Sequence, residues 1–246
     1  MFRVYYTKSC GMIHLILKRR IGYWVERLVK ITVFYSFELE QYLGELLPDR
    51  NELLKEMESQ ALQETIPVVT PSVGNFLAFL VKMSQATRVL EVGTAIGYST
   101  LWLAQGFEDR RGQITTIDLN VDRAKRAQEY FKRAGIEEQV TVLFGDARNI
   151  LATLEDSFDF VFVDAAKGEY LDYLSLVLPR IAPGGILVVD NVLFRGWVVP
   201  GTDFSPKYNR MVMHLREFLD TLTRNPEFQT SVLPFGDGLS VSVRKA

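Results

Sequence analysis

From about Phe37 onward, short apolar runs alternate with longer segments whose apolar positions recur every three or four residues. The first pattern is that of buried strands and the second that of amphipathic helices. Strands are predicted over residues 88–92, 113–118, 140–144, 158–163, 185–189, 229–233 and 239–243. Helices are predicted over 38–61, 99–105, 121–134, 149–154, 170–178 and 210–224, the first interrupted at Pro48 with Asp49 capping its second part. A further helix starts at a Ser72 cap and places Phe76, Leu77, Leu80 and Val81 on one face. Strands alternating with helices imply an α/β fold, a doubly wound, mostly parallel seven-stranded sheet covered on both sides. The nearly continuous apolar character of residues 185–189 agrees with a strand buried on both faces. The closing pair, joined at Pro234-Phe235-Gly236-Asp237-Gly238, makes the last strand antiparallel.

The first residues differ in character. Met12 to Leu17 is apolar and is followed by Lys18-Arg19-Arg20, the reverse of the order in a secretory signal. Ile21, Trp24, Val25, Leu28 and Ile31 then form a helical stripe. Residues 1–37 are therefore taken as a helical N-terminal extension and 38–246 as one domain. A docking helix, an interfacial membrane helix and an RNA-binding arm stay open for the extension, and no function is rested on it.

Composition removes whole classes. The 28 Lys+Arg against 30 Asp+Glu give a net charge of −2, which excludes a globally basic nucleic-acid binder and leaves a local basic patch open. The single cysteine excludes a disulfide framework and a cysteine-rich zinc site. No apolar window approaches the roughly 20 residues of a membrane span. A cytoplasmic location without membrane attachment is expected.

In an open α/β sheet, ligands bind beyond the carboxyl ends of the strands. The first such end carries Glu91-Val92-Gly93-Thr94-Ala95-Ile96-Gly97-Tyr98-Ser99. Its G-x-x-x-G spacing is not that of a dinucleotide cradle, so it reads either as a ligand loop or as a plain strand-to-helix turn. Asp118 ends the second strand, where a carboxylate can bind ribose hydroxyls or simply cap a helix. Gly145-Asp146-Ala147 follows the third and offers an acceptor to an exocyclic amine. Together these ends describe a nucleoside-containing cofactor without a diphosphate. The fourth and fifth ends supply Asp164-Ala165-Ala166-Lys167 and Asp190-Asn191. Two carboxylates and an amide oxygen suit Mg²⁺, Mn²⁺ or Ca²⁺. Lys167 is placed to act as general base, although a lone lysine is more often a surface residue.

In this order and combination, these segments resemble the cation-dependent O-methyltransferases, a family that includes catechol and caffeoyl-CoA O-methyltransferases. The resemblance covers residues 38–246 and implies the Rossmann-like fold of class I AdoMet-dependent methyltransferases. It implies an AdoMet site formed by Val69, Glu91, Gly93, Ser99, Asp118, Asp146, Ala147 and Asp164. It implies Mg²⁺ on Asp164, Asp190 and Asn191, with Asp164 and Lys167 as the catalytic pair, and commonly a homodimer. Residues 164–170 and 190–196 look most like the bacterial tRNA 5-hydroxyuridine methyltransferases, so a tRNA wobble base is the expected substrate and a small phenol the alternative. The plant small-molecule enzymes carry a second Asp where this chain has Ala166, and longer insertions not found here. A tRNA substrate needs a basic surface, for which Arg123, Lys125, Arg126, Lys132, Arg133 and Arg195 are candidates. Phe194 and Trp197 are placed to stack on a base or on a catechol.

Overall fold

The computed structural model describes residues 3–6, 13–16 and 37–246. Near the N-terminus, β1 (Arg3–Tyr6) and β2 (Ile13–Ile16) pair antiparallel as a separate two-stranded sheet. Strand therefore replaces part of the expected helix, in sequences whose β-branched and aromatic residues fit a pleated ribbon. The stripe from Ile21 to Ile31 and the basic run before it lie outside the described residues.

Three helices lead into the main sheet: α1 (Phe37–Glu45), α2 (Glu52–Glu64) and α3 (Pro71–Met83). Both expected caps move. Asn51, not Asp49, accepts from the Leu54 amide at 2.9 Å, and Asp49 instead pairs with Lys55. Thr70, not Ser72, caps α3, because Pro71 has no amide hydrogen and fits the first helical position. Ser72 is buried inside the first turn and bonds Glu40 on α1.

The remaining chain alternates strand and helix up to a closing hairpin: β3 (Arg88–Val92), α4 (Tyr98–Gln105), β4 (Gln113–Asp118), α5 (Val121–Ala134), β5 (Val140–Phe144), α6 (Ala147–Thr153), β6 (Phe158–Val163), α7 (Tyr170–Val177), β7 (Ile181–Val189), α8 (Asn209–Thr223), β8 (Phe228–Leu233) and β9 (Leu239–Arg244). The seven-stranded sheet has the order β5-β4-β3-β6-β7-β9-β8, with β9 antiparallel to both neighbours and the pairings from β5 through β7 parallel. β7 starts four residues before its expected position. A register irregularity opposite Phe158–Phe160 absorbs Pro183-Gly184-Gly185.

Side chains alternate across the sheet. Phe160 and Phe162 enter a core with Val89, Ile114, Val188, Leu77 and Phe131. Val161 and Val163 enter a second core with Leu90, Val92, Leu187, Tyr170 and Phe218. Because both faces are covered, no polar alternation marks the central strands, and each such side chain adds about 1.5–3 kcal/mol of burial. The chain order reverses between β3 and β6, so their carboxyl ends flank a switch-point crevice. Among the described residues, no helix is long and apolar enough to cross a membrane.

Candidate active site

A cavity of about 390 Å³ opens at this crevice, lined by residues from every strand end between β3 and β7. Its floor is the β3–α4 loop. Gly93 has φ +107°, and a Cβ there would meet the Asp164 carbonyl oxygen at 2.1 Å, so this glycine serves the close approach of two backbone segments. Gly97 caps α4 at φ +85° under the Phe131 ring. Glu91 is fully buried beneath the loop and does not reach the cavity wall. Its carboxyl accepts from Ser99 at 2.6 Å, Thr100 at 2.5 Å and Thr116 at 2.7 Å. Burial pushes its pKa up to about 7 against the pull of those three donors. Since Thr116 donates to Glu91, it accepts from Thr94 across 2.6 Å. Ser99 lines the cavity, but its hydroxyl is committed to Glu91.

Asp118 is on the wall, as expected, and also shapes it. One carboxylate oxygen accepts from the Ala95 amide and the other from the Asn120 amide, each at 2.7 Å. The first bond holds Ala95 at φ +45°, a conformation non-glycine residues rarely take. Asp146 caps α6 by accepting from the Arg148 amide at 2.9 Å and also pairs with the Arg148 guanidinium at 2.6 Å. Those bonds hold its carboxyl below the usual carboxylate range. Ala147 and Val69 complete this half of the wall.

The other half is built differently. Asp164 follows β6 and lines the cavity; burial raises its pKa, and the Lys167 charge opposes that rise. Lys167 donates to Asn191 Oδ1 at 2.7 Å. Asp190 is buried behind Asn191, accepts from the Asn191 amide at 2.5 Å, and is pushed up to about 8 by burial and then by the Asp164 charge. Asn191 has φ +57° at this exit from β7. Tyr170, buried, donates to the Asp190 carbonyl at 2.9 Å. Sequence reasoning missed Asp237, which was read only as part of a turn. Its carboxyl accepts from the Arg195 amide and is close enough to Lys167 and Asp190 for charge interaction.

Both expected groups are tested by this geometry. The cavity has the size of a small-molecule site, and Asp118 keeps free acceptor capacity at its rim, so a nucleoside fits the first half. Among the described residues, no three His, Cys, Asp or Glu side chains cluster as metal ligands. The donor set on offer is instead two carboxylates and one amide oxygen, Asp164, Asp190 and Asn191. Its crowded acids and hard oxygens fit a divalent cation that keeps several waters.

Two residues of the basic stripe on α5 are ion-paired, while Lys125 and Lys132 are exposed. Arg126 pairs bidentately with Glu64 at 2.7 Å and Arg133 with Glu56 at 2.5–2.7 Å, tying α5 to α2. Arg123 lines the cavity. Phe194 and Trp197 pack edge-on with centroids 5.0 Å apart and share a cluster with Tyr208 and Phe204. Arg195 lies over Trp197 and Lys207 over Tyr208.

A mixed sheet of this order, with a nucleoside-sized cavity at its switch point, defines the class I AdoMet-dependent methyltransferase fold. Among solved structures, the O-methyltransferase from Bacillus cereus in complex with SAH is similar, with a TM-score of 0.75 and 29% identity over 85% of this chain and 97% of that one. Among known proteins, catechol O-methyltransferase of Niastella koreensis is 30% identical over 84% of this chain and 96% of its own length. Caffeoyl-CoA O-methyltransferase of Medicago sativa is 29% identical over 87% and 91%. An O-methyltransferase family model matches residues 45–245, and the chain belongs to that family. It is an AdoMet-dependent O-methyltransferase.

Proposed function

We propose that this enzyme methylates a hydroxyl of a small phenolic substrate, with a divalent cation held by Asp164, Asp190 and Asn191. The observation that carries the reading is the convergence at the β6 and β7 ends of two crowded carboxyls, an amide oxygen and one ammonium beside the cavity. Val69, Asp118 and Ala147 would hold AdoMet, whose sulfonium supplies the methyl group. A cation on the three oxygen ligands would favour the ionised substrate hydroxyl. The C–S bond breaks as the C–O bond forms. Lys167 either takes the hydroxyl proton as a neutral amine or, as an ammonium, donates to the oxyanion. Asn191 fixes its position through the 2.7 Å bond.

The relatives named for catechol and caffeoyl-CoA support a small phenol over the tRNA first expected from the sequence, as do the ion pairs that occupy Arg126 and Arg133. The second reading, 5-hydroxyuridine in tRNA, is favoured by Ala166 and by Arg195 and Lys207 over the aromatic cluster beyond β7. The protein is incubated with AdoMet and Mg²⁺ and offered catechol, caffeoyl-CoA or tRNA bearing 5-hydroxyuridine, each with and without EDTA. Mass spectrometry is expected to show an EDTA-sensitive methyl ether on a small phenol. Formation of 5-methoxyuridine with untouched phenols would replace this reading by the second, and methylation indifferent to EDTA would remove the cation.

A further inference from the structure

Beyond the residues so far given a role, the β8–β9 hairpin closes the sheet directly behind the candidate cation ligands. Two main-chain bonds join them: the Val192 amide donates to the Gly238 carbonyl at 2.9 Å and the Leu193 amide to the Asp237 carbonyl at 3.0 Å. The Asp237 carboxyl extends this ladder by accepting from the Arg195 amide. The segment so held is unusual, since Phe194, Arg195 and Gly196 all have positive φ, at +43°, +57° and +75°. Two consecutive non-glycine residues in the left-handed region persist only where their surroundings over-determine them. The segment starts with Asn191, itself at φ +57°, whose side chain holds Lys167.

We propose that Asp237 is a positioning residue for methyl transfer: its carboxyl clamps the left-handed 194–196 turn and thereby holds Asn191, and through it Lys167, at the reacting centre. Asp237 is half-buried and also lies within charge reach of Lys167 and Asp190. The turn's other supports, through Val192 and Leu193, use the hairpin backbone and survive any side-chain change. Removing the carboxyl should therefore loosen the turn without unfolding the sheet. The proposal rests on the O-methyl-transfer reading of the site for its kinetic consequence only; the clamp itself is testable without turnover.

Three proteins test it: wild type, Asp237→Ala and Asp237→Asn, the last keeping an acceptor oxygen without the charge. In D237A, hydrogen exchange of the peptide spanning residues 193–197 should quicken by about tenfold, the effect of one lost bond to a charged group. Its kcat should fall by at least about tenfold, with AdoMet affinity within about twofold of wild type, because the cofactor half is untouched. D237N should recover most of both losses. Unchanged exchange in D237A overturns the clamp. Failure of D237N to restore exchange overturns it too, because the acceptor oxygen would then be irrelevant. Faster exchange with normal kcat overturns the catalytic consequence. A wild type that binds AdoMet yet methylates no hydroxyl would count against the functional reading, while the exchange data would still judge the clamp.

Discussion

The two halves of the cleft use the same residue type in opposite ways. On the β3–β4–β5 side, Glu91, Asp118 and Asp146 each take at least two of the protein's own donors: three hydroxyls, two loop amides, and an amide with its guanidinium. On the β6–β7 side, Asp190 lies within charge reach of both Asp164 and Asp237, and the three acids share one ammonium, Lys167, and two backbone amides. A satisfied carboxylate is a structural part that fixes the shape of a loop. A crowded and under-satisfied set stores unfavourable electrostatics that a cation or a substrate proton relieves. The first half is therefore read as preformed shape and the second as chemistry.

The contrast can be broken most decisively on the chemical side. Asp190→Ala should lower kcat/KM by about 10³-fold while leaving AdoMet affinity near wild type, since the loss falls on transition-state charge. Steady-state kinetics with a calorimetric AdoMet titration check this, and activity within tenfold of wild type would end the assignment of Asp190. On the shaping side, Asp118→Ala should do the reverse. Releasing the Ala95 amide and removing the rim acceptor should weaken AdoMet binding by about tenfold to a hundredfold, two lost charge-assisted bonds, with a smaller effect on kcat at saturation. Equal loss in both parameters would show that the halves are not separable.

The smallest effect concerns Glu91 and is read in stability. Folding raises its pKa from 4.5 to about 7, so between those values the folded chain holds a proton that the unfolded chain has lost. Stability from this group accordingly falls as pH rises through that window and stays low above it. Glu91→Gln should remove that dependence, gaining on the order of 2–3 kcal/mol over wild type at pH 8 and little at pH 4.5. Urea melts at both values measure it. Parallel curves for the two proteins would show that Glu91 does not titrate there.

Much of this was legible in the chain. β3, β4, β5 and β6 lie where the apolar runs place them, because strands buried on both faces leave an unmistakable signature. The strand ends then followed from topology, and with them Asp118, Asp164, Lys167 and Asn191 as cavity residues. What failed was local chemistry with more than one solution. Asn51 and Asp49 are both good caps by residue type, and the helix uses Asn51. The burial of Glu91 under Thr100 and Thr116 was not legible either, because it depends on how α4 and β4 pack on β3. The pairing of Arg126 and Arg133 was not legible, because Glu56 and Glu64, more than fifty residues earlier, are brought opposite only by docking α2.

The sequence by itself determined the alternation of elements, the both-sided burial of the sheet and the acids at its carboxyl ends, because periodicity and spacing are local properties. Tertiary structure decided which of those acids are satisfied. Donors such as Thr116, the Ala95 amide and the Arg195 amide come from segments distant in the chain, so whether a carboxyl serves shape or chemistry is settled only when those segments meet.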